Sequence, residues 1–265
     1  MRHLLIIMLV VVCFSCEDVI DVDLNTAEPR LVIEATINRE ADGETAGSIR
    51  LTRTADFFEE INEPVTDAQV RIIDENGNTF EYEHNDLGYY FNDELDIEDD
   101  VDYTLEIIDQ GQTYRSTEQL IKTVPLFNPE QEEIDGFGEF TQITAFYDDP
   151  EGFGDFYLFR YLDEFNREID IRDDEFSDGN VTPTSFFIED LNPQMEILLT
   201  IEGIDQRAFT FYETLLQQGA DAGGGPFDTQ PATVRGNVIN ETDSSRFPLG
   251  YFRISEIYRL NYIAD

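Results

Sequence analysis

The sequence predicts a mostly β protein: an N-terminal immunoglobulin-like β-sandwich, then a second β-rich domain that contains one long α-helix. Three observations predict it. Apolar residues recur at every second position in segment after segment from residue 29 onward, the period of a strand with one buried face. Glycine, proline, asparagine and aspartate punctuate these segments at short intervals. Helical spacing is confined to one stretch, near residues 205–218.

The elements follow in chain order. In "RLVIEATIN", Leu31, Ile33, Ala35 and Ile37 share one face, opposite Glu34, Thr36 and Asn38. "SIRLTRT" repeats the pattern with Ile49 and Leu51. "AQVRIIDENGNTFEYEH" predicts a hairpin: Val70 and Ile72 lead in, Asn76-Gly77 supplies the turn, and Phe80 and Tyr82 lead out. "VDYTLEIIDQGQTYRS" predicts another, with Val101, Tyr103, Leu105 and Ile107 on one face and Gly111 at the turn. Short strands with no helical pattern between them suit a sandwich over residues 29–124. "KTVPLFNPEQEE" carries Pro125 and Pro129 and then acids, and reads as a boundary, so the second domain is expected over 125–265. Its strands are "QITAFYD", "DFYLFRYLD", "REIDIRD", "TSFFIED" and "MEILLTIEG". The nearly continuous apolar run "FYLFRYL" predicts a strand buried on both faces. In "DQRAFTFYETLLQQG", Ala208, Phe209, Tyr212, Leu215 and Leu216 fall at helical spacing, with Asp205 as N-cap and Gly219 as C-terminal stop. Two closing strands, "TVRGNVIN" and "YFRISEIYRLNYI", complete the chain.

Ahead of the folded part, the uncharged apolar run Leu4 to Val12 follows Arg2 and His3. A bilayer span needs ~20 such residues, so the run reads as an export signal over residues 1–15. It ends in Phe14-Ser15-Cys16, which resembles the lipobox of bacterial lipoproteins, where a small residue precedes the acylated cysteine. Cys16 is therefore the expected lipidation site. Cys13 follows bulky Val12 and would leave with the signal, so no disulfide is expected. Residues 16–28 form an acidic tether ending at Pro29.

A net charge of −42 repels nucleic-acid phosphate and anionic headgroups, which excludes nucleic acid as a partner. Lys122 is the only lysine, and tryptophan is absent. Beyond the signal the one histidine is His84, at the end of a predicted strand beside acids, so a Ser-His-Asp triad or zinc-hydrolase site would have to be built on it alone. No catalytic residue, metal site or cofactor is expected. "GADAGGG" (219–225) follows a helix and lacks lysine, unlike a phosphate-binding loop. The acid runs at 93–102, 148–155 and 170–180 match no calcium-loop frame and read as solvated charge. Carboxylate pairs can cleave glycosides, but sugar clefts usually offer tryptophan platforms. A carboxylate-only hydrolase is thus a secondary alternative.

Three stretches together, "CEDVIDVDLNTAEPRLVIEATI", "PFDTQPATVRGNVIN" and "RFPLGYFRISEI", are similar to the DUF4249 family of Bacteroidota lipoproteins. The specific residues are Pro231, Gly236, Asn237 and Asn240, then Pro248, Leu249, Gly250 and Tyr251, turn-forming or packing types expected to serve structure. Family members are often encoded beside TonB-dependent transporters, so the resemblance implies a non-enzymatic accessory partner of such a transporter. Surface lipoproteins of Bacteroidota tend to carry acids just after the acylated cysteine, as Glu17 and Asp18 do here, which implies the outer membrane and its extracellular face. The ligand is unknown. An adhesion or envelope-structural role is the alternative. Phenylalanines at loop tips are costly to leave in water, which makes Phe57 and Phe58 in "DFFEE" and Phe227 in "GGGPFD" the candidate partner contacts.

Overall fold

Residues with period-two alternation form strands along nearly the whole chain. The computed structural model describes residues 28–55, 62–85, 87–135, 139–220 and 233–265. The first strands are β1 (Leu31–Glu40), β2 (Thr45–Arg53), β3 (Gln69–Asp74), β4 (Thr79–His84), β5 (Tyr89–Phe91), β6 (Tyr103–Asp109), β7 (Gln112–Glu118) and β8 (Leu120–Ile121). They continue as β9 (Phe127–Asp135), β10 (Glu139–Asp148), β11 (Phe156–Leu162), β12 (Arg167–Asp173), β13 (Val181–Glu189) and β14 (Glu196–Ile204). Helix α1 (Gln206–Ala220) precedes β15 (Ile239–Asn240) and β16 (Leu249–Ile263). The chain is mostly β, with sandwich-like sheets and one helix among the described residues.

The long sheet runs in the order β12-β11-β14-β16-β1-β2-β5-β4-β3-β6-β7-β15, with β8 also paired to β16. It bends back on itself near β5 and β4, so that β1 and β2 face β3 and β6 across a core of Ile33, Ile37, Ile49, Leu51, Ile72 and Leu105, each fully buried. A second, three-stranded sheet, β13-β10-β9, covers the other end. There Ile143, Ala145 and Tyr147 meet Tyr157, Phe159 and Leu199 in a separate aromatic core. Burying one Leu, Ile or Phe side chain stabilises a fold by roughly 1.5–3 kcal/mol, so the alternation dictates the register.

The strands are not shared out between two consecutive domains. β16 pairs in parallel with β1 from Val32↔Leu249 to Glu40↔Ile257, then antiparallel with β14 from Glu202↔Ile257 to Glu196↔Ile263. Its first half closes the first core through Phe252 and Ile254; its second half packs Tyr258, Leu260 and Tyr262 on the other. β15 likewise returns to β7. A linear reading places both segments in the second domain because sequence order says nothing about which open strand edge a late strand will fill.

The segment read as a boundary becomes β9, even though it contains Pro129. β9 sits at the edge of its sheet, where a residue without an N–H costs little, and the pairing with β10 is irregular between Thr144 and Phe146. β11 is buried along one face, with Tyr157, Phe159 and Tyr161 in the aromatic core. On the other only Leu158, under α1, is buried while Arg160 and Leu162 line an open surface, so the expected burial of both faces holds only in part. Asp205 caps α1 by accepting a hydrogen bond from the Ala208 N–H at 2.7 Å, and the helix runs through Gly219 to Ala220.

Candidate functional site

The outward face of the long sheet is only half covered. Alternate residues of β11, β14 and β16 point toward α1, which seals one end through Ala208 against Leu158, Ile204 and Tyr251. The Phe209 ring packs on Phe156 at 5.2 Å and Phe211 on Tyr251 at 4.9 Å, while the Tyr251 hydroxyl reaches Asp205 at 3.3 Å. Past the helix the same face lies open as a groove. Its apolar end, about 640 Å³, is lined by Phe211, Tyr212, Leu215, Val234, Leu249 and Tyr251. Its polar end, about 460 Å³, carries Arg160, Arg167, Arg253 and Arg259 with Glu168 and Glu202. Both ends share Thr36, Arg160 and Ile169, so they are continuous.

The charges in the polar end are held with care. Glu202 is buried between two guanidiniums: Arg160 Nε donates to Oε1 at 2.8 Å, and Arg253 pairs with Oε2. Burial alone would push the Glu202 carboxyl up, but the Arg253 and Arg160 charges outweigh it and hold it below the usual carboxylate range. Burial likewise works against the Arg253 charge, and Glu202 with Tyr212 more than offsets it. Arg259 is paired with Glu40 at 2.7 Å. Arg167 is exposed and has no ion-pair partner among the described residues. Four buried atoms in this groove make no hydrogen bond within ordinary geometry: Arg253 Nε, Thr200 Oγ1, Asn38 Oδ1 and Glu202 Oε2, the last being in ion-pair contact with Arg253. Buried polar groups are nearly always satisfied, by ordered water where no protein group reaches them.

A second constellation lies at the far end of the aromatic core. The carboxylate oxygens of Asp149, Asp174 and Asp178 all lie within 4.8 Å of one another. Asp149 accepts the Tyr157 hydroxyl at 2.6 Å and the Ser177 hydroxyl at 3.2 Å. Asp174 accepts the Gly154 and Asp155 N–H groups, and Asp178 the Gly152 N–H.

Cys16, Phe57, Phe58 and Phe227 lie outside the described residues. His84 is exposed at the end of β4, with Nδ1 3.3 Å from the Asn85 carbonyl oxygen and its ring 5.8 Å from that of Tyr90. Of the three acid runs, 93–102 finds cations, because Asp99 pairs with Arg39 and Lys122. The other two meet each other, which no single-loop frame in the sequence could reveal. The groove was also invisible to periodicity: its arginines come from β11, β12 and β16, and only the pairing order brings them together. Phe153 and Phe176, 77% and 92% exposed, are outward aromatics that the sequence did not single out.

The residues expected to serve structure do so where they are described. The Asn237 amide binds both backbone groups of Phe252, Nδ2 to the carbonyl at 2.6 Å and Oδ1 to the N–H at 2.9 Å. Gly250 adopts φ +91°, and a Cβ there would sit 2.0 Å from the Ile33 carbonyl oxygen. Leu249, Gly250 and Tyr251 also form a wall of the groove.

No curated protein matches the chain. Among solved structures it is similar to a cytokine receptor complex, at 11% identity over 67% of this chain and 85% of that one, with a TM-score of 0.27. It is also similar to a two-module fibronectin type-III segment of chicken tenascin, at 13% identity over 67% and 91%, TM-score 0.22. A third likeness is to the chicken interferon gamma receptor alpha chain, at 10% identity over 67% and 89%, TM-score 0.19. Likenesses this slight assign no ligand or partner. The family model described as a domain of unknown function, DUF4249, matches residues 17–260, and the chain belongs to that family.

Proposed function

We propose that this chain is a non-enzymatic accessory lipoprotein of the outer membrane, anchored through Cys16, that holds an anionic ligand in the groove beside a TonB-dependent transporter. The observation that carries the reading is the groove floor: a chain of net charge −42 gathers four arginines there and leaves buried polar atoms without partners. Arg167, exposed and without an ion-pair partner among the described residues, is free to meet a carboxylate, phosphate or sulfonate, and guanidinium groups recognise such anions well. Phe211, Tyr212, Leu215 and Val234 offer an apolar bed for the rest of the ligand. Glu202, held ionised between two arginines, has no proton to give and no free role as a base, which suits binding better than acid–base chemistry.

Fluorescence titration with anilinonaphthalene sulfonate, an anionic aromatic probe, tests the groove. Arg167→Glu reverses one exposed, unpaired charge and should weaken binding about tenfold, equivalent to ~1.4 kcal/mol, without changing the melting temperature. A long-chain carboxylate should displace the probe and its neutral methyl ester should not. Equal binding by the variant, or equal displacement by the ester, would contradict an anion site.

A further inference from the structure

Residues 149–155 join β10 to β11, and residues 174–180 join β12 to β13. Both loops therefore cross between the two sheets of the aromatic core at the same end, and they meet through Asp149, Asp174 and Asp178. We propose that this junction binds a divalent cation, calcium, which ties the two crossing loops together.

Charge accounting is the first argument. Among the described residues Glu106, Asp109, Glu118 and Glu202, all buried, each face an arginine, whereas buried Asp163, Asp149 and Asp174 are met only by hydrogen-bond donors. Asp149 and Asp174 are buried just as deeply, close to each other and to Asp178, with no cation paired to any of them. Burial pushes the Asp149 carboxyl above its usual range against the Tyr157 and Ser177 hydrogen bonds, with the Asp174 and Asp178 charges adding to the rise; Asp155, a fourth carboxylate at the junction, is raised by burial and the same three aspartates. Like charges buried side by side are unfavourable unless something positive stands between them.

A buried hydroxyl points to the same junction. Tyr147 is fully buried, its ring packs on Tyr157 at 5.2 Å, and its hydroxyl faces Ser177 beside Asp149 yet makes no hydrogen bond within ordinary geometry. A hydrated ion at the junction would give that hydroxyl a water to bind. Size and chemistry favour calcium over magnesium. Calcium takes six to eight oxygens at about 2.3–2.6 Å, so oxygens on opposite sides of it stand roughly 5 Å apart, and it accepts the irregular geometry of two unrelated loops.

The test uses the full mature chain, stripped with chelator and then titrated with calcium chloride, with sodium and magnesium chloride at matched ionic strength as controls. About 1 mM calcium should raise the melting temperature by several degrees beyond the sodium control. Asp178→Asn keeps an acceptor for the Gly152 N–H but removes a ligand charge. It should lose the calcium response and, in chelator, melt at or above the wild-type temperature, because one repulsive charge is gone. Terbium luminescence, sensitised by Tyr157 and displaced by calcium, reads the site on the wild-type chain without any variant. A calcium effect no larger than sodium's, a full calcium response in Asp178→Asn, or absent terbium sensitisation would each overturn the proposal.

Discussion

Asn237 shows how a side chain substitutes for a missing piece of strand. Its amide pairs with both backbone groups of Phe252 and gives a second hydrogen bond to Glu118 Oε1 at 2.7 Å, while Arg207 donates to both oxygens of that carboxylate at 3.0 Å. Asn237→Ala would leave two Phe252 backbone groups without their side-chain partner and Glu118 Oε1 with Arg207 alone. Each unsatisfied buried group costs roughly 1–3 kcal/mol, so chemical denaturation should report a loss of about 2–4 kcal/mol. Asn237→Asp restores the size but not the amide donor and should lose a comparable amount. The sequence marked Asn237 as a packing or turn type, which was the correct category. Its partners could not be named, because Phe252 is fifteen residues away and Glu118 belongs to another sheet edge.

At the scale of elements, most strands were legible because one face of each is buried and the side-chain period is two. β1 and β13 show the alternation in their burial directly. The helix was legible for a similar reason, with Asp205 seated where an N-cap was expected. β9 was not, because proline and glutamate are tolerated at a sheet edge that sequence alone cannot recognise as an edge. The role of β16 was illegible in another way: its fifteen residues read as one strand, yet half of them complete a core built by residues far upstream. From this comes a prediction about the segment 28–124. Expressed alone, it lacks Phe252 and Ile254 and exposes the β1 edge, so it should fail to show a cooperative thermal transition, whereas the whole chain unfolds through one that includes both cores. A fragment that melts cooperatively by itself would show that β16 is an accessory to the first core and not a part of it.

For the whole molecule, a strongly acidic composition is combined, among the described residues, with a groove lined by four arginines and an acidic junction, and Phe153 and Phe176 lie outward on the loops of that junction. An acidic exterior discourages non-specific association and makes a local positive site conspicuous to an anion. The tether expected between Cys16 and Pro29 is about a dozen residues long and, at ~3.3–3.6 Å per residue, spans at most about 40 Å. A protein anchored that closely meets membrane neighbours at high effective concentration, so even a weak contact with a transporter would stay occupied. Phe57, Phe58 and Phe227 remain the contacts proposed from sequence, and Phe153 with Phe176 join them on the ground of exposure.

The most direct test of the central claim is to isolate the lipidated chain from membranes in mild detergent and identify what accompanies it. The account predicts a TonB-dependent transporter, recovered in stoichiometric amount with the wild-type chain and lost when Cys16→Ser prevents anchoring. Recovery of the anchored chain alone, under conditions that preserve other lipoprotein–transporter pairs, would contradict the accessory role and favour an adhesive or structural one.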